Sequence, residues 1–227
     1  MDPVDLTRRI EPGMPVYPGD PGVGADASAT MDVDGYRVTH LSFTTHVGTH
    51  IDAPSHMEPD GATLDEFDVG AFRFDARLVD LTGDGSDGDR SDDGDDGGLD
   101  AREPITPAHI PDDAGDAEML VLRTGWGAHW GEERYYDHPY LTPAAARHVA
   151  ALDCAVGLDT INPDPTPTPR SSPDEPEGVP AHHELLGAGQ FIVENLALPA
   201  DLPERFTLRA YPLRVDADGA PVRAVAE

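Results

Sequence analysis

Hydrophobic and polar positions alternate along this chain in short runs broken by Gly, Pro and Asp. Tyr36–Thr44, Phe72–Leu81, Met119–Thr124, Phe191–Leu196 and Phe206–Val215 are rich in β-branched and aromatic residues and predict strands. Thr142-Pro143 predicts a helix through Leu152, with Thr as N-cap and Pro at the first helical position, and Thr106-Pro107 starts a shorter one. His182 to Glu184 opens a further short helical stretch that Gly187 and Gly189 end. The class is α/β or α+β. At 227 residues, the order of elements favours one domain.

Two segments interrupt this pattern. Residues Gly83 to Asp100 (GDGSDGDRSDDGDDGGLD) form a low-complexity run of Asp and Gly that cannot bury apolar area, an insertion in a loop. It lacks the acidic side chain that closes an EF-hand loop, so solvated, self-repelling charge is the better reading than a calcium site. Asn162 to Pro180 is a Pro-rich irregular stretch, read either as a flap or subunit contact or as a solvent-exposed loop.

Charge narrows the partners. Arg supplies all 15 basic residues against 44 acidic ones, for a formal net charge of -29. Such a surface repels nucleic acid and anionic membranes. It resembles the acidic surface of proteins from salt-loving organisms, where cations screen self-repulsion, so folding and activity are expected to need molar salt. The single Cys154, beside Ala155-Val156, excludes an intramolecular disulfide and reads as a core residue in a reducing interior. No long apolar run is present, and cytoplasmic residence is expected.

The chemistry is concentrated in His46-Val47-Gly48-Thr49-His50-Ile51-Asp52-Ala53-Pro54-Ser55-His56. His and Asp are the donors that zinc-like ions take, and catalytic sites of this kind draw three protein ligands. On an ideal strand His46 and His50 would stand about 13 Å apart, too far for one ion. Val47, Thr49 and Ile51 disfavour a helix. The sequence therefore predicts an extended entry, a bend at Gly48 and an end at Pro54. Far downstream, Glu194 lies among Phe191, Ile192, Val193 and Leu196. A buried carboxylate there must be paired, protonated or bound to metal; on an edge strand it would face solvent.

The first cluster matches the H-x-G-T-H-x-D-x-P-x-H signature of the cyclase family of metal-dependent hydrolases, which contains the bacterial kynurenine formamidases. His182 to Leu196 resembles the family's H-x-x-L-L-G-x-G…E-N-L segment, and Met14–Pro21, Leu122–Trp126 and Gly157–Thr160 agree with it in order. The resemblance implies a swivelling β/β/α fold and an oligomer, a homodimer or homotetramer. It also implies that His46, His50 and Asp52 hold a first ion and that His182 and Glu194, with Asp52 bridging, hold a second. His56 resembles the family's general acid/base, with a further ligand or a supporting group as the other reading. Of the adjacent pair, His182 fits the H-x-x-L-L spacing better than His183.

A bound divalent ion, Zn2+ or Mn2+, lowers the pKa of its water toward about 7 and polarises a carbonyl, and an imidazole can return a proton to the departing nitrogen. The expected reaction is hydrolysis of an amide, with the aryl formamide N-formylkynurenine, giving kynurenine and formate, as the family's best-known substrate. Tyr17 and Trp126 are placed either to stack on an aryl ring or in ordinary packing. Another cyclic amide or ester, lyase or dehydratase chemistry on the same site, and a non-catalytic metal-binding role are the alternatives.

Overall fold

The computed structural model describes residues 2–83 and 98–227, so most of the acidic run, residues 84–97, lies outside the described residues. In chain order the elements are β1 (Val4–Asp5), β2 (Gly24–Ala29), α1 (Met31–Asp34), β3 (Val38–Ser42), β4 (His50–Asp52), β5 (Arg73–Asp80), β6 (Pro104–Ile105), β7 (Met119–Arg123), β8 (Tyr140–Leu141), α2 (Pro143–Ala151), β9 (Ala155–Leu158), α3 (Pro180–Leu186), β10 (Ile192–Glu194), β11 (Arg205–Pro212) and β12 (Gly219–Ala226). Short 3-10 turns fill several of the connections.

Eight strands form one sheet in the order β1-β12-β11-β5-β7-β9-β10-β4, and a further pairing of β4 with β12 closes it on itself. Strands β5, β7, β9 and β10 run parallel, and the other pairings are antiparallel. Alternation decides which faces turn inward. Phe74, Ala76 and Leu78 on β5, Phe206, Leu208 and Ala210 on β11, and Val222, Ala224 and Ala226 on β12 are buried in one interior cluster with Leu6, Ile51 and Val193. Strands β7 and β9 are apolar on both faces because α2 and α3 cover the outside, packing Ala145, Val149 and Leu185 on Leu120, Leu122, Val156 and Leu158. Cys154 is buried in this second cluster, as its apolar neighbours predict.

Helix α2 starts where expected: Thr142 Oγ1 accepts the Ala145 amide at 3.2 Å and Pro143 fills the first position. Thr106-Pro107 gives one 3-10 turn, Pro107–His109. Three differences from the sequence expectations matter most. The strand expected over Phe206–Val215 stops at Pro212, whose ring removes an amide donor. The one expected over Tyr36–Thr44 contracts to β3, every residue of which is exposed and which pairs only with β2. Strand β12 was not expected, because its inward positions are mostly Ala and Pro221 lies within it, a weak strand signal.

Candidate metal centre

The sheet closure builds the site. Strand β4 lies between β10 and β12, with Glu194 opposite His50 and Ile192 opposite Asp52 on one side, and Gly219 opposite Asp52 on the other. Gly48 takes φ +60, the left-handed bend the sequence predicts, and brings the His46 and His50 rings to a centroid separation of 5.2 Å. Asn195 braces that bend: its Nδ2 donates to Gly48 O at 2.9 Å, and its backbone carbonyl accepts the Thr49 hydroxyl at 2.7 Å. The 3-10 turn Pro54–His56 then returns the His56 ring to 3.8 Å from that of His46, and α3 delivers His182 from the far side.

Three groups of three result: His46, His50 and Asp52, and Asp52, His182 and Glu194, which share Asp52, and the less buried His46, His56 and Asp218, which shares His46 with the first. His183 is not among them: it is exposed and lies 3.2 Å from Glu58. The tautomers follow from the hydrogen bonds. His50 Nδ1 donates to Gly48 O at 2.8 Å, which leaves the Nε2 lone pair 3.2 Å from Glu194 Oε2 and 3.4 Å from Asp52 Oδ1. His182 Nδ1 donates to Asp164 Oδ2 at 2.7 Å, which turns its Nε2 toward Glu194 Oε1 at 3.3 Å. Lone pairs facing carboxylate oxygens repel unless a proton or a cation lies between them. His50 Nε2, Asp52 Oδ2 and Glu194 Oε1 are all buried with no hydrogen-bond partner. These orphaned atoms are the donors a divalent cation takes, and the residues fit one.

The electrostatics agree. Burial alone would push the site imidazoles down, but Asp52 and Asp218 hold His46 up to about 9, and Asp164 and Glu194 hold His182 up to about 10. Burial raises Asp52, yet His50 and His46 bring it well below the carboxylate range. The site thus demands positive charge at its centre. His56 is different: burial keeps it below its ordinary value despite Asp52. Its Nδ1 lies 3.2 Å from Asp218 Oδ2.

A cavity of about 430 Å³ opens over these groups, lined on its apolar side by Val16, Tyr17, Met57, Ile161 and Val179. Tyr17 is half-buried there. Trp126 is elsewhere. Its ring is buried against Tyr135 and Ile161, and its indole N–H donates to the carbonyls of Arg134 and Tyr135. Stacking on a substrate in this cavity is therefore corrected to packing, because the segments Leu122–Trp126 and Gly157–Thr160 meet to build a turn. Asp159 Oδ1 accepts the Thr124 amide at 3.0 Å and its hydroxyl at 2.6 Å, and Oδ2 accepts the Gly125 amide at 2.9 Å.

The Cyclase family model matches residues 4–165, well over half of the chain. This chain belongs to the Cyclase family. The kynurenine formamidase of Salinibacter ruber (strain DSM 13855 / M31) is 32% identical over 227 residues, covering 98% of this chain and 95% of that protein. Isatin hydrolase A from Labrenzia aggregata, solved with benzyl benzoate bound, has a TM-score of 0.76 at 25% identity and covers 99% of this chain and 92% of that one. A structure described as a potential metal-dependent hydrolase with cyclase activity has a TM-score of 0.73 at 28% identity over 99% and 96% of the two chains. The α/β expectation and its cyclase-like form both hold.

Two carboxylates of this cyclase-family site escaped the sequence reading. Asp164, in the Pro-rich stretch, accepts the Ala181 amide at 2.8 Å and the His182 amide at 3.0 Å as well as the His182 ring. Asp218 enters beside the closing strand, 3.0 Å from His46 Nε2. Both sit in acidic, turn-rich surroundings where one more Asp carries no signal. Gly219 next to Asp218 is obligatory, since a Cβ there would lie 2.6 Å from His46 Cε1.

Proposed function

We propose that this metal-dependent amidohydrolase cleaves an aryl formamide, with N-formylkynurenine as the substrate and kynurenine and formate as products. The observation that carries the reading is the pair of orphaned, Asp52-sharing ligand groups beneath a cavity of which His56 forms one wall. Zn2+ or Mn2+, one or two ions per chain, would be held by His46, His50 and Asp52 and by Asp52, His182 and Glu194. When bound, such an ion supplies a nucleophilic water at neutral pH and polarises the acyl carbonyl.

The chain's own residues supply the rest. Asp164 fixes the ring of His182 through its Nδ1 and so aims Nε2 into the centre. His56 is held neutral by burial, takes a proton from the attacking water and returns it to the departing aryl nitrogen. Asp218 occupies His56 Nδ1, which leaves Nε2 to carry that proton. Val16, Tyr17, Met57, Ile161 and Val179 offer the apolar surface that an aryl ring needs. A cavity of 430 Å³ is in the range for such a ligand.

A second reading, opening of a cyclic aryl amide, is favoured by the likeness to isatin hydrolase A. The test is to incubate metal-loaded protein in molar salt with N-formylkynurenine, isatin and simple esters and amides. Formate release that chelator abolishes and Zn2+ or Mn2+ restores supports the first reading, and turnover of isatin alone replaces it with the second. No turnover of any acyl compound would refute hydrolysis and leave lyase chemistry or a binding role. The charge of -29 supports a requirement for molar salt, which an unchanged melting temperature in dilute buffer would disprove. The lone buried Cys154 suits a reducing compartment, consistent with a cytoplasmic enzyme. No described helix is long and apolar enough to cross a membrane.

A further inference from the structure

The cavity over the metal centre has two ends of different character. At its floor lie His50, Asp52, His182 and Glu194, all buried, and at its mouth Asp20 is exposed. Tyr17 stands between them: burial, then the charges of Asp164, Asp20 and Glu194, raise its phenol, so the ring feels carboxylates at both ends. Much of the other polar lining is already engaged. The Thr45 hydroxyl donates to Asp218 Oδ1, Asn162 Nδ2 donates to Thr166 Oγ1, and Asn195 Nδ2 donates to Gly48 O. Asp20 is not engaged in this way. Its backbone amide donates to Tyr17 O at 3.0 Å, but among the described residues its carboxylate has neither a hydrogen bond nor an ion pair. No Arg is among the residues that line the cavity, and the chain has no Lys.

We propose that Asp20 is a specificity residue that binds the ammonium group of the substrate, at the end remote from the bond that is cut. This rests on the amidohydrolase reading above and narrows its substrate to an aryl formamide that bears a cationic amine. The argument is one of charge. Asp52 and Glu194 are turned to the metal centre, which leaves Asp20 as the carboxylate of the wall that is open to a ligand. Beside an apolar wall it attracts an ammonium more strongly than it would in open water, and it repels a second carboxylate. N-Formylkynurenine carries one of each on its aliphatic end. The ammonium is the group this wall takes, and the carboxylate, for which the cavity offers no Arg, turns to solvent. The net charge of -29 works in the same direction, because it disfavours the approach of anionic ligands. Isatin has no amine, so nothing in it meets Asp20.

The test is kinetics of the metal-loaded full chain, at the lowest salt that keeps its fold, on N-formylkynurenine, its analogue without the amine and its analogue without the carboxylate. Removing the amine should lower kcat/KM about fivefold, the scale of an exposed ion pair, and removing the carboxylate should hold or raise it. The loss should lie in KM, because Asp20 is at the mouth and not at the reacting atoms. Asp20→Asn should bring the three substrates to within about twofold of one another, and Asp20→Glu should restore the preference for the amine. Added salt should shrink the wild-type preference and leave the Asp20→Asn ratios where they are. Asp20 is exposed, so neither substitution disturbs the core. An amine preference that survives Asp20→Asn, or one that is missing from a wild type that turns over all three substrates, would overturn this inference alone. No turnover of any of the three would overturn the proposed function and this inference with it.

Discussion

Strands β3 and β4 are eight residues apart and invert the usual rule in opposite senses. Strand β4 buries His50 and Asp52 completely, and β3 exposes Val38 and Leu41. A buried charge is costly unless something pairs it, and a cluster of exposed apolar side chains marks a surface that something else covers. At β4 the missing partner is small and positive. At β3 the exposed side chains are themselves large and apolar. The same chain thus carries two kinds of misplaced polarity, buried charge at β4 and exposed apolar side chains at β3.

The largest effect that could break this comparison is at Asp52, the carboxylate that two of the ligand groups share. Asp52→Asn should lose bound metal and turnover together, read by metal analysis and formate release. A variant that kept its full metal content would show that the orphaned atoms do not hold an ion. His56→Ala comes next. It should keep its metal and lose turnover by roughly 10²–10⁴-fold, the usual contribution of a general acid/base. A metal-free His56→Ala would make the ring a ligand and move the boundary between the dry centre and the cavity wall.

The part of this site that one segment writes was readable before any coordinates. His46, His50, Asp52 and His56 lie within eleven residues, and β-branched neighbours around Gly48 left a bend as the one geometry that could bring His46 and His50 together. Glu194 was readable as an anomaly, a charge within an apolar run. Strands β5 and β7 were legible because their inward positions are large and apolar. What could not be read was closure. Nothing local says that β12, built on Ala and interrupted by Pro221, pairs with β4 and sets Asp218 beside His46 and His56. Trp126 shows the converse error: a matching segment can serve the turn that Asp159 builds and never reach the cavity.

A smaller effect sharpens the account of the centre. Asp164 touches no orphaned atom but holds the ring that faces two of them. Asp164→Asn should weaken metal binding or activity about 10–100-fold, the cost of losing a carboxylate that orients a ligating imidazole. Metal titration under chelator competition measures it. An unchanged affinity would mean that α3 alone fixes His182.

An effect on stability alone comes from a buried imidazole that needs no ion, and it is the control for the rest. His138 is buried like His50, but both nitrogens have protein partners: Nδ1 donates to Pro139 O at 2.7 Å, and Nε2 accepts the Thr166 hydroxyl at 2.8 Å. Burial, with Arg102 adding to it, pushes its pKa down to about 4 against 6.5 for a free ring. The folded state therefore prefers the neutral ring. Above pH 6.5 neither state carries the proton and nothing is lost. Between 6.5 and 4 the unfolded chain takes the proton and the folded chain does not, so stability falls with falling pH, by about 3 kcal/mol at most. Thermal melts across that window, with chelator present to silence the metal centre, should show a flatter pH dependence in His138→Gln than in the wild type. Equal slopes would mean that His138 takes its proton in the fold, and that satisfied hydrogen bonds are not what separates it from His50.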